Sequence, residues 1–195
     1  GESGMTAGDP LHPGIVFGGT GLQRFDLALN AQAGRTTAPA TPAGQAARTD
    51  WTQPLVFSKA DQHALYYANQ FLFKTTDDMK TWTQISPDLT RPDPGVPANL
   101  DAVAAKDTDR NGNRGVIYTI APSPLRAPLI WIGTDDGLIQ VTSDTGKTWR
   151  SAIKPLGAPV DIKTLNTETG EVFETTIAPA SEDEATATVA VMGGD

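Results

Sequence analysis

The sequence has no cysteine, two histidines, few aromatic residues and no long apolar run. Without cysteine there is no disulfide, no thiolate metal site and no cysteine nucleophile, although either redox compartment remains open. The run of about 18 apolar residues that a membrane-spanning helix needs is also missing. The 15 Lys and Arg are outnumbered by 23 Asp and Glu, for a net charge of −8. A basic surface that could neutralise phosphates is therefore not expected, and neither is a nucleic-acid partner.

Glycine and proline, by contrast, are abundant, with 19 and 15 residues among 195. This composition is typical of many short strands joined by turns and favours an all-β chain. A chain of this length can bury one good core, or one core and a small appendage. We therefore expect one or two structural units.

An eight-residue pattern occurs twice: residues 142–149 read TSDTGKTW and residues 75–82 read TTDDMKTW. The pattern predicts a turn between two strands, because the Asp carboxylate can accept hydrogen bonds from turn N–H groups and Gly supplies a positive φ. The Trp then anchors the following strand. The residues assigned this structural role are Thr75, Asp77, Trp82, Thr142, Asp144, Gly146 and Trp149.

The same order of short strands recurs around both copies and, more weakly, near the start of the chain. It predicts β-propeller-type blades, each a four-stranded antiparallel sheet. Three blades are expected, at residues 1–39, 53–86 and 115–153, with linkers at 40–52 and 87–114, forming a partial or small propeller. Residues 154–195 alternate apolar and polar positions around a turn, which indicates a C-terminal β-hairpin segment or a further blade.

On these repeats, and on residues 71–82, 85–91 and 115–149, the chain resembles the BNR-repeat or Asp-box β-propeller proteins. These are secreted bacterial proteins usually labelled glycosyl hydrolases, and they are related to sortilin-type propellers. The resemblance covers about residues 1–150. It implies a β-propeller in an extracellular or periplasmic setting, which agrees with a chain that begins without Met or a signal core and reads as a mature or excerpted soluble chain.

The resemblance implies a module that binds or scaffolds a glycan or protein ligand, without catalysis of its own and without a required cofactor. The alternative is a glycoside hydrolase, sialidase-like or glucanase-like, that uses loop carboxylates. Three blades leave sheet edges open, so we also expect self-association or further blades in a longer polypeptide. Met79 stands where the turn Gly is expected, which predicts a distorted first turn.

A calcium site is predicted from Asp107, Asp109 and Asn111, whose oxygen-bearing side chains alternate ahead of the bend at Gly112. Residue 118, the twelfth position of such a loop, is Tyr rather than the bidentate Glu of a complete site. Calcium is therefore an optional ligand in this interpretation, and a polar turn is the alternative.

Glycoside hydrolysis requires two carboxylates at a defined separation. The loop carboxylates that qualify are Asp88, Asp93, Asp101, Asp135 and Asp136. No pair stands out, so the catalytic residues stay unassigned. As a ligand-binding surface we predict Asp101, Asp135 and Asp136 together with Trp51, whose indole can stack on a ligand ring or plug one blade to the next.

The two histidines, His12 and His63, lie in bends and are interpreted as surface loop residues rather than ligands or bases. No nucleophile elbow accompanies them, so a catalytic triad is not predicted. Tyr67 and Trp131 lie in matching second strands and are expected in the core between blades.

Overall fold

The structure is a computed structural model that describes residues 4–19, 21–91, 115–152, 160–165 and 172–177. The chain forms two compact units, Gly1–Ala152 and Ile153–Asp195. The described residues contain strands, turns and bends but no helix. Consequently no helix in this part of the chain is long and apolar enough to cross a membrane.

The first unit contains three four-stranded sheets, in each of which the strands lie side by side in chain order. The first sheet consists of β1 (Thr6–Gly8), β2 (Ile15–Gly18), β3 (Gln23–Asp26) and β4 (Ala31–Gln32). The second consists of β5 (Leu55–Phe57), β6 (Leu65–Ala68), β7 (Leu72–Thr75) and β8 (Thr83–Gln84). The third consists of β9 (Ile117–Pro122), β10 (Ile130–Thr134), β11 (Ile139–Thr142) and β12 (Arg150–Ser151).

Every strand pair in these sheets is antiparallel. In the second unit, β13 (Val160–Leu165) and β14 (Val172–Ile177) form an antiparallel hairpin. The predicted fold class is confirmed: the chain is all-β, with three β-propeller-type four-stranded blades and a C-terminal β segment. The fourth strand of the first sheet, β4, is only two residues long and lies at the beginning of residues 31–48, which are rich in Ala and Thr.

One apolar core lies between the first and second sheets. Phe17 of β2 is buried there and meets Phe57 of β5 edge to face, with ring centroids 5.8 Å apart. Tyr67 and Phe73 extend this core, and Trp82 packs against it. Aromatic side chains bury large areas, so they make a small sheet-to-sheet contact stable.

A second core lies between the second and third sheets. The second sheet contributes Tyr66 and Leu72, and the third contributes a row of isoleucines, namely Ile117, Ile120, Ile130 and Ile132. Ile117 and Ile120 are three residues apart and are both buried, although a regular strand turns alternate residues to opposite faces. The explanation is a bulge in β9: Gly133 pairs with Thr119 and Thr134 pairs with Ile117, so Tyr118 is an extra residue between them. Because of this extra residue, Ile117 and Ile120 lie on the same face of the sheet.

The two sheets that contain the eight-residue turn share one pairing register. Leu65 pairs with Thr75 in the second sheet, and Ile130 pairs with Thr142 in the third. Counted from these pairs, Trp131 is the counterpart of Tyr66, and Ile139 is the counterpart of Leu72. Tyr66 and Leu72 are 1% and 0% exposed, whereas Trp131 and Ile139 are 40% and 44% exposed.

The prediction that Trp131 lies in the core between blades is therefore wrong. Tyr67, to which the same prediction applies, is buried as expected. The register makes Ile132 rather than Trp131 the counterpart of Tyr67, so Trp131 lies on the opposite face of its sheet. That face carries Trp131, Ile139, Ala121 and Thr119, since directly paired residues lie on one side.

Candidate functional site

A groove of about 330 Å³, including its open mouth, lies beside the core of the first and second sheets. Its apolar wall includes Phe17, Phe57 and Leu65. Its polar lining brings together both histidines of the chain and two carboxylates: Asp9, His12, His63 and Asp78. Charged and imidazole groups above an apolar wall are typical of small-molecule sites.

The best-ordered pair in the groove is Asp9 and His12. The Asp9 side chain is 5% exposed, while His12 is 67% exposed, and His12 Nδ1 lies 2.9 Å from Asp9 Oδ2. Asp9 Oδ1 also accepts hydrogen bonds from the N–H groups of Leu11 (2.8 Å) and His12 (3.2 Å). Burial acts to raise the pKa of Asp9, but these hydrogen bonds outweigh it and leave the pKa below its ordinary value of 3.8.

Asp9 is therefore ionised at neutral pH and orients the His12 ring towards the groove. A carboxylate that orients an imidazole is a unit able to accept or donate a proton. Thr75 and Thr76 also line the groove. The Thr75 hydroxyl donates to Asp77 at 2.8 Å, and among the described residues neither hydroxyl is hydrogen-bonded to His12. The arrangement can hold a hydrogen-bonding ligand, and it assigns no reaction.

Sequence reasoning missed this groove because it treated each histidine as an isolated loop residue. Both are exposed as expected, yet they share one groove. The available signal was the segment Asp9-Pro10-Leu11-His12-Pro13, in which an Asp ahead of a constrained bend caps the next N–H groups. The carboxylate then stays within reach of the His three residues later.

The Asp carboxylates of the two eight-residue patterns accept the same three hydrogen bonds. In the second copy, Asp144 accepts from Thr142 Oγ1 at 2.7 Å, from Thr148 N at 2.9 Å and from Thr148 Oγ1 at 2.6 Å. In the first copy, Asp77 accepts from Thr75 Oγ1 at 2.8 Å, from Thr81 N at 2.9 Å and from Thr81 Oγ1 at 2.7 Å. Each carboxylate thus ties the third strand of its sheet to the fourth.

The expected distortion of the first turn is wrong. Met79 has φ 61° and the preceding Asp78 has φ 60°, close to the 88° and 61° of Gly146 and Thr145 in the second copy. The Met79 side chain is fully buried in the core of the first two sheets. Apolar burial is worth about 1.5–3 kcal/mol and offsets the roughly 1–2 kcal/mol that a left-handed φ costs a residue with a Cβ.

The tryptophans of the two turns connect neighbouring structure. Trp149 Nε1 donates to the carbonyl of Ile85 at 3.0 Å, just beyond the last strand of the second sheet. Trp82 Nε1 donates to the carbonyl of Thr37 at 2.6 Å, and Thr37 N donates to Met79 O at 2.8 Å. Each turn therefore holds the segment that precedes its own sheet.

The pKa of Asp144 predicts an acid-sensitive contribution to stability. Hydrogen bonds from the Thr148 hydroxyl and N–H, and then from Thr142, lower this pKa from 3.8 to about 2. A lowered pKa stabilises the fold above the unfolded value, so this contribution is present above pH 3.8 and is lost as the pH falls towards 2. In the Asp144→Asn variant, the urea concentration at the unfolding midpoint is expected to change less with pH in that interval. Tryptophan fluorescence measures this midpoint. An unchanged pH profile in the variant contradicts the assignment, and Thr148→Val, which removes one donor, serves as an intermediate control.

The predicted binding carboxylates Asp135 and Asp136 serve backbone contacts in the structure. Asp135 Oδ1 accepts from Val116 N at 2.7 Å, and Asp136 Oδ2 accepts from Arg91 N at 2.6 Å. Asp88, one of the hydrolase candidates, pairs with Arg48. A ligand role for Asp135 and Asp136 stays a prediction, as does that of Trp51, whose side chain is 63% exposed.

The other predicted site residues, Asp93, Asp101, Asp107, Asp109 and Asn111, lie outside the described residues. The calcium site therefore stays a prediction. Within the described ranges, no group of three or more His, Asp or Glu side chains is arranged to hold a metal ion.

Comparison with known proteins shows similarity between this chain and reductases. The family model described as "Trans-2-enoyl-CoA reductase catalytic region" matches residues 139–195. An enoyl-[acyl-carrier-protein] reductase [NADH] of Opitutus terrae is 33% identical over 153 residues, which cover 78% of this chain and 30% of the relative. The corresponding enzyme of Vibrio cholerae is 55% identical over 47 residues, covering 24% and 12%.

A trans-2-enoyl-CoA reductase [NADH] of Treponema denticola is 30% identical over 95 residues, covering 49% of this chain and 21% of the relative. The chain thus spans less than a third of the length of these relatives. Two solved structures each align with a TM-score of 0.44. The Niastella koreensis GH74 enzyme is 16% identical and the alignment covers 90% of this chain and 26% of that chain. YCF48 bound to D1 peptide is 15% identical and the alignment covers 79% of this chain and 40% of that chain. This score is too low to support a functional inference.

These matches correct the interpretation based on the eight-residue turns. The matching family and the named relatives are reductases, so the assignment to the BNR or Asp-box family is wrong. The glycan-binding module without catalysis and the glycoside hydrolase are wrong with it. So is the expectation that no cofactor is required, because the relatives are named for NADH. The extracytoplasmic setting came from the same secreted family and is corrected on the same finding.

The described residues do not fit NADH. Dinucleotides bind where a glycine-rich turn joins a strand of a parallel sheet to a helix. Gly19 and Gly21 follow strand β2, but the antiparallel strand β3 comes next rather than a helix. A Cβ on the neighbouring Gly18 would lie 2.4 Å from the carbonyl oxygen of Met5, so packing of the adjacent backbone already requires a glycine there. No step of a nicotinamide reaction is assigned to this part of the chain.

Proposed function

We propose that residues 139–195 contribute to an NADH-dependent reductase of trans-2-enoyl thioesters. The observation that carries this proposal is the family match to these residues, which the 55% identity with the Vibrio cholerae enzyme over 47 residues supports. The substrate class is an α,β-unsaturated acyl group on coenzyme A or acyl carrier protein, as in the relatives' names. Because the chain spans less than a third of these relatives, the full reaction requires more sequence than it contains.

The division of the chain supports placing the reductase contribution mainly in the second unit. Ile153–Asp195 is compact by its own contacts, and the family match runs through all of it. The match begins at Ile139, the first residue of β11, so it also includes β11, the second turn and β12 of the third sheet. A compact segment of this size is a natural unit to exchange between related proteins.

We propose that the first unit also contacts further protein. Its best-defined carboxylates are occupied by its own backbone: Asp9, Asp77, Asp135 and Asp144 each accept a hydrogen bond from a nearby N–H group. The partners that suit such a unit are further blades of a longer polypeptide or another copy of this chain, since sheet faces and edges left open favour pairing.

The reductase proposal is tested by exchanging residues 153–195 into the aligned segment of the Vibrio cholerae enzyme. The activity of the chimera is measured as the loss of NADH absorbance with a trans-2-enoyl-CoA as substrate. Its kcat/KM is expected to lie within about tenfold of that of the parent enzyme. A control chimera carrying the same residues in scrambled order is expected to lose about a hundredfold or more. A folded chimera, judged by its melting temperature, that is no more active than the scrambled control overturns the proposal.

A further inference from the structure

The His12 ring presents a hydrogen-bond acceptor at the groove beside the core of the first and second sheets. Its Nδ1 lies 2.9 Å from Asp9 Oδ2, and an ionised carboxylate can only accept a hydrogen bond. Nδ1 therefore carries the proton, and Nε2 of the neutral ring keeps a free lone pair. Because the His12 side chain is 67% exposed and Asp9 is buried, the ring is the part of this pair that a ligand can reach.

The charges at the groove leave one negative charge in excess. Asp78 lies on the lining with its Oδ2 3.9 Å from Arg24 Nε, which is too long for a hydrogen bond, so its carboxylate keeps acceptor sites available. Asp9 has a histidine, but no Lys or Arg, as its ion-pair partner in the described part of the chain. The adjacent Lys74 and Asp61 pair with each other at 3.3 Å. The net charge of −8 on the whole chain acts in the same direction.

The apolar wall and the size of the groove limit the rest of a ligand. Phe17 and Leu65 of this wall are 1% and 2% exposed, so the packing of the core holds them in place. The volume of about 330 Å³, with the open mouth included, is at the low end of the roughly 300–1,000 Å³ that small-molecule sites occupy. A ligand of one ring and a short chain is therefore the size that fits.

We propose that this groove binds a small organic monocation, a primary ammonium group attached to a single apolar ring or short chain. An ammonium group has three donors and no acceptor, which matches a lining that offers His12 Nε2 and the Asp78 carboxylate as acceptors. Its positive charge compensates the excess negative charge, whereas an anion of the same shape adds to it. The proposal is independent of the reductase contribution, because residues 9–78 form the groove and the family match begins at residue 139.

Titration of the full chain with phenethylammonium tests the proposal. The chain has two histidines, so the Hε1 proton signals of His12 and His63 report on the groove, and His63→Asn assigns them. At about pH 8 histidine rings are ordinarily neutral, and physiological ionic strength screens diffuse attraction to the acidic chain. Both signals are expected to shift with a dissociation constant of about 1 mM or below.

Two probes of the same shape test the selectivity for positive charge. Phenethyl alcohol ends in a neutral group and hydrocinnamate ends in a carboxylate, and each is expected to bind at least about tenfold more weakly than phenethylammonium. Phenethyl alcohol that binds as tightly as the ammonium overturns the proposal. So does phenethylammonium that shifts neither histidine signal up to about 10 mM.

Asp9→Asn and Asp26→Asn form a matched pair of variants. Asp26 Oδ1 accepts from the N–H groups of Ala28 (2.9 Å) and Leu29 (3.2 Å), two and three residues ahead, as Asp9 Oδ1 does in its own turn, but Asp26 does not line the groove. Asp9→Asn is expected to raise the dissociation constant of phenethylammonium about tenfold or more, and Asp26→Asn to leave it unchanged. Equal effects of the two substitutions contradict the proposed site.

Asp78→Asn keeps the test informative if Asp9→Asn fails to fold. The Asp78 side chain is 40% exposed, and its φ of 60° is one that Asn adopts readily, so the fold should tolerate the change. This variant removes the exposed charge of the groove and is expected to raise the dissociation constant about threefold or more. Phenethylammonium binding to folded Asp78→Asn with the wild-type constant overturns the assignment of this carboxylate to the site.

Discussion

Replacing Gly146 with alanine is expected to lower the free energy of unfolding of the first unit by about 2–4 kcal/mol. Gly146 has φ 88°, and an added Cβ would lie 2.2 Å from the carbonyl oxygen of Ile85 and 2.9 Å from its Cβ. Ile85 cannot easily move away. Its N–H donates to Leu72 O at 2.8 Å, and its carbonyl accepts from Trp149 Nε1 at 3.0 Å. The substitution therefore strains the backbone and opens the contact between the second and third sheets.

Gly137→Ala provides the matched control. Gly137 has φ 84°, but no heavy atom lies within 4 Å of an added Cβ. Only the conformational cost remains, about 1–2 kcal/mol. Urea unfolding followed by tryptophan fluorescence measures both variants, because all four tryptophans lie in the first unit. Equal losses of stability in the two alanine variants would mean that Gly146 does not approach Ile85 as closely as described.

The contrast between Met79 and Gly146 shows what a turn pattern can and cannot predict. The spacing of Thr, Asp and Trp predicts the carboxylate hydrogen bonds, because these depend on local geometry. Whether the left-handed position needs glycine depends on the neighbouring sheet. At residue 146 the backbone of Ile85 leaves no room for a side chain, whereas at residue 79 the side chain fills an apolar core. That information is tertiary and is not encoded in the eight residues themselves.

The all-β class could be predicted because it follows from local signals: short alternating strands and frequent turn residues. The position of Trp131 could not, since a shift of one residue in register moves a side chain to the other face of its sheet. The groove with Asp9 and His12 was missed for a similar reason. Its second histidine, His63, comes from another sheet and only the packing of the two sheets places both in one groove.

The functional prediction failed at a different step. It took a turn motif, whose residues are explained by hydrogen bonds within one turn, as a marker of a protein family and then of its activity. Turn chemistry of this kind reports architecture, and function depends on a site. The family-model match to reductases, residues 139–195, lies mostly beyond the second turn, where the sequence was interpreted only as a β-hairpin or a further blade. The 153-residue match to the Opitutus terrae enzyme extends well into the first unit.

Leu72→Ala is expected to lower the free energy of unfolding by about 2–5 kcal/mol, because Leu72 is fully buried between the second and third sheets and truncation leaves a cavity. Ile139→Ala removes an aliphatic side chain at the equivalent register position, but this side chain is 44% exposed. Its cost in dilute protein is expected to stay below about 1 kcal/mol. Denaturant titrations of the two variants at the same low protein concentration measure the difference. Equal costs of the two variants in dilute protein would contradict this difference in burial, because they would mean that the Ile139 side chain is covered as completely as that of Leu72.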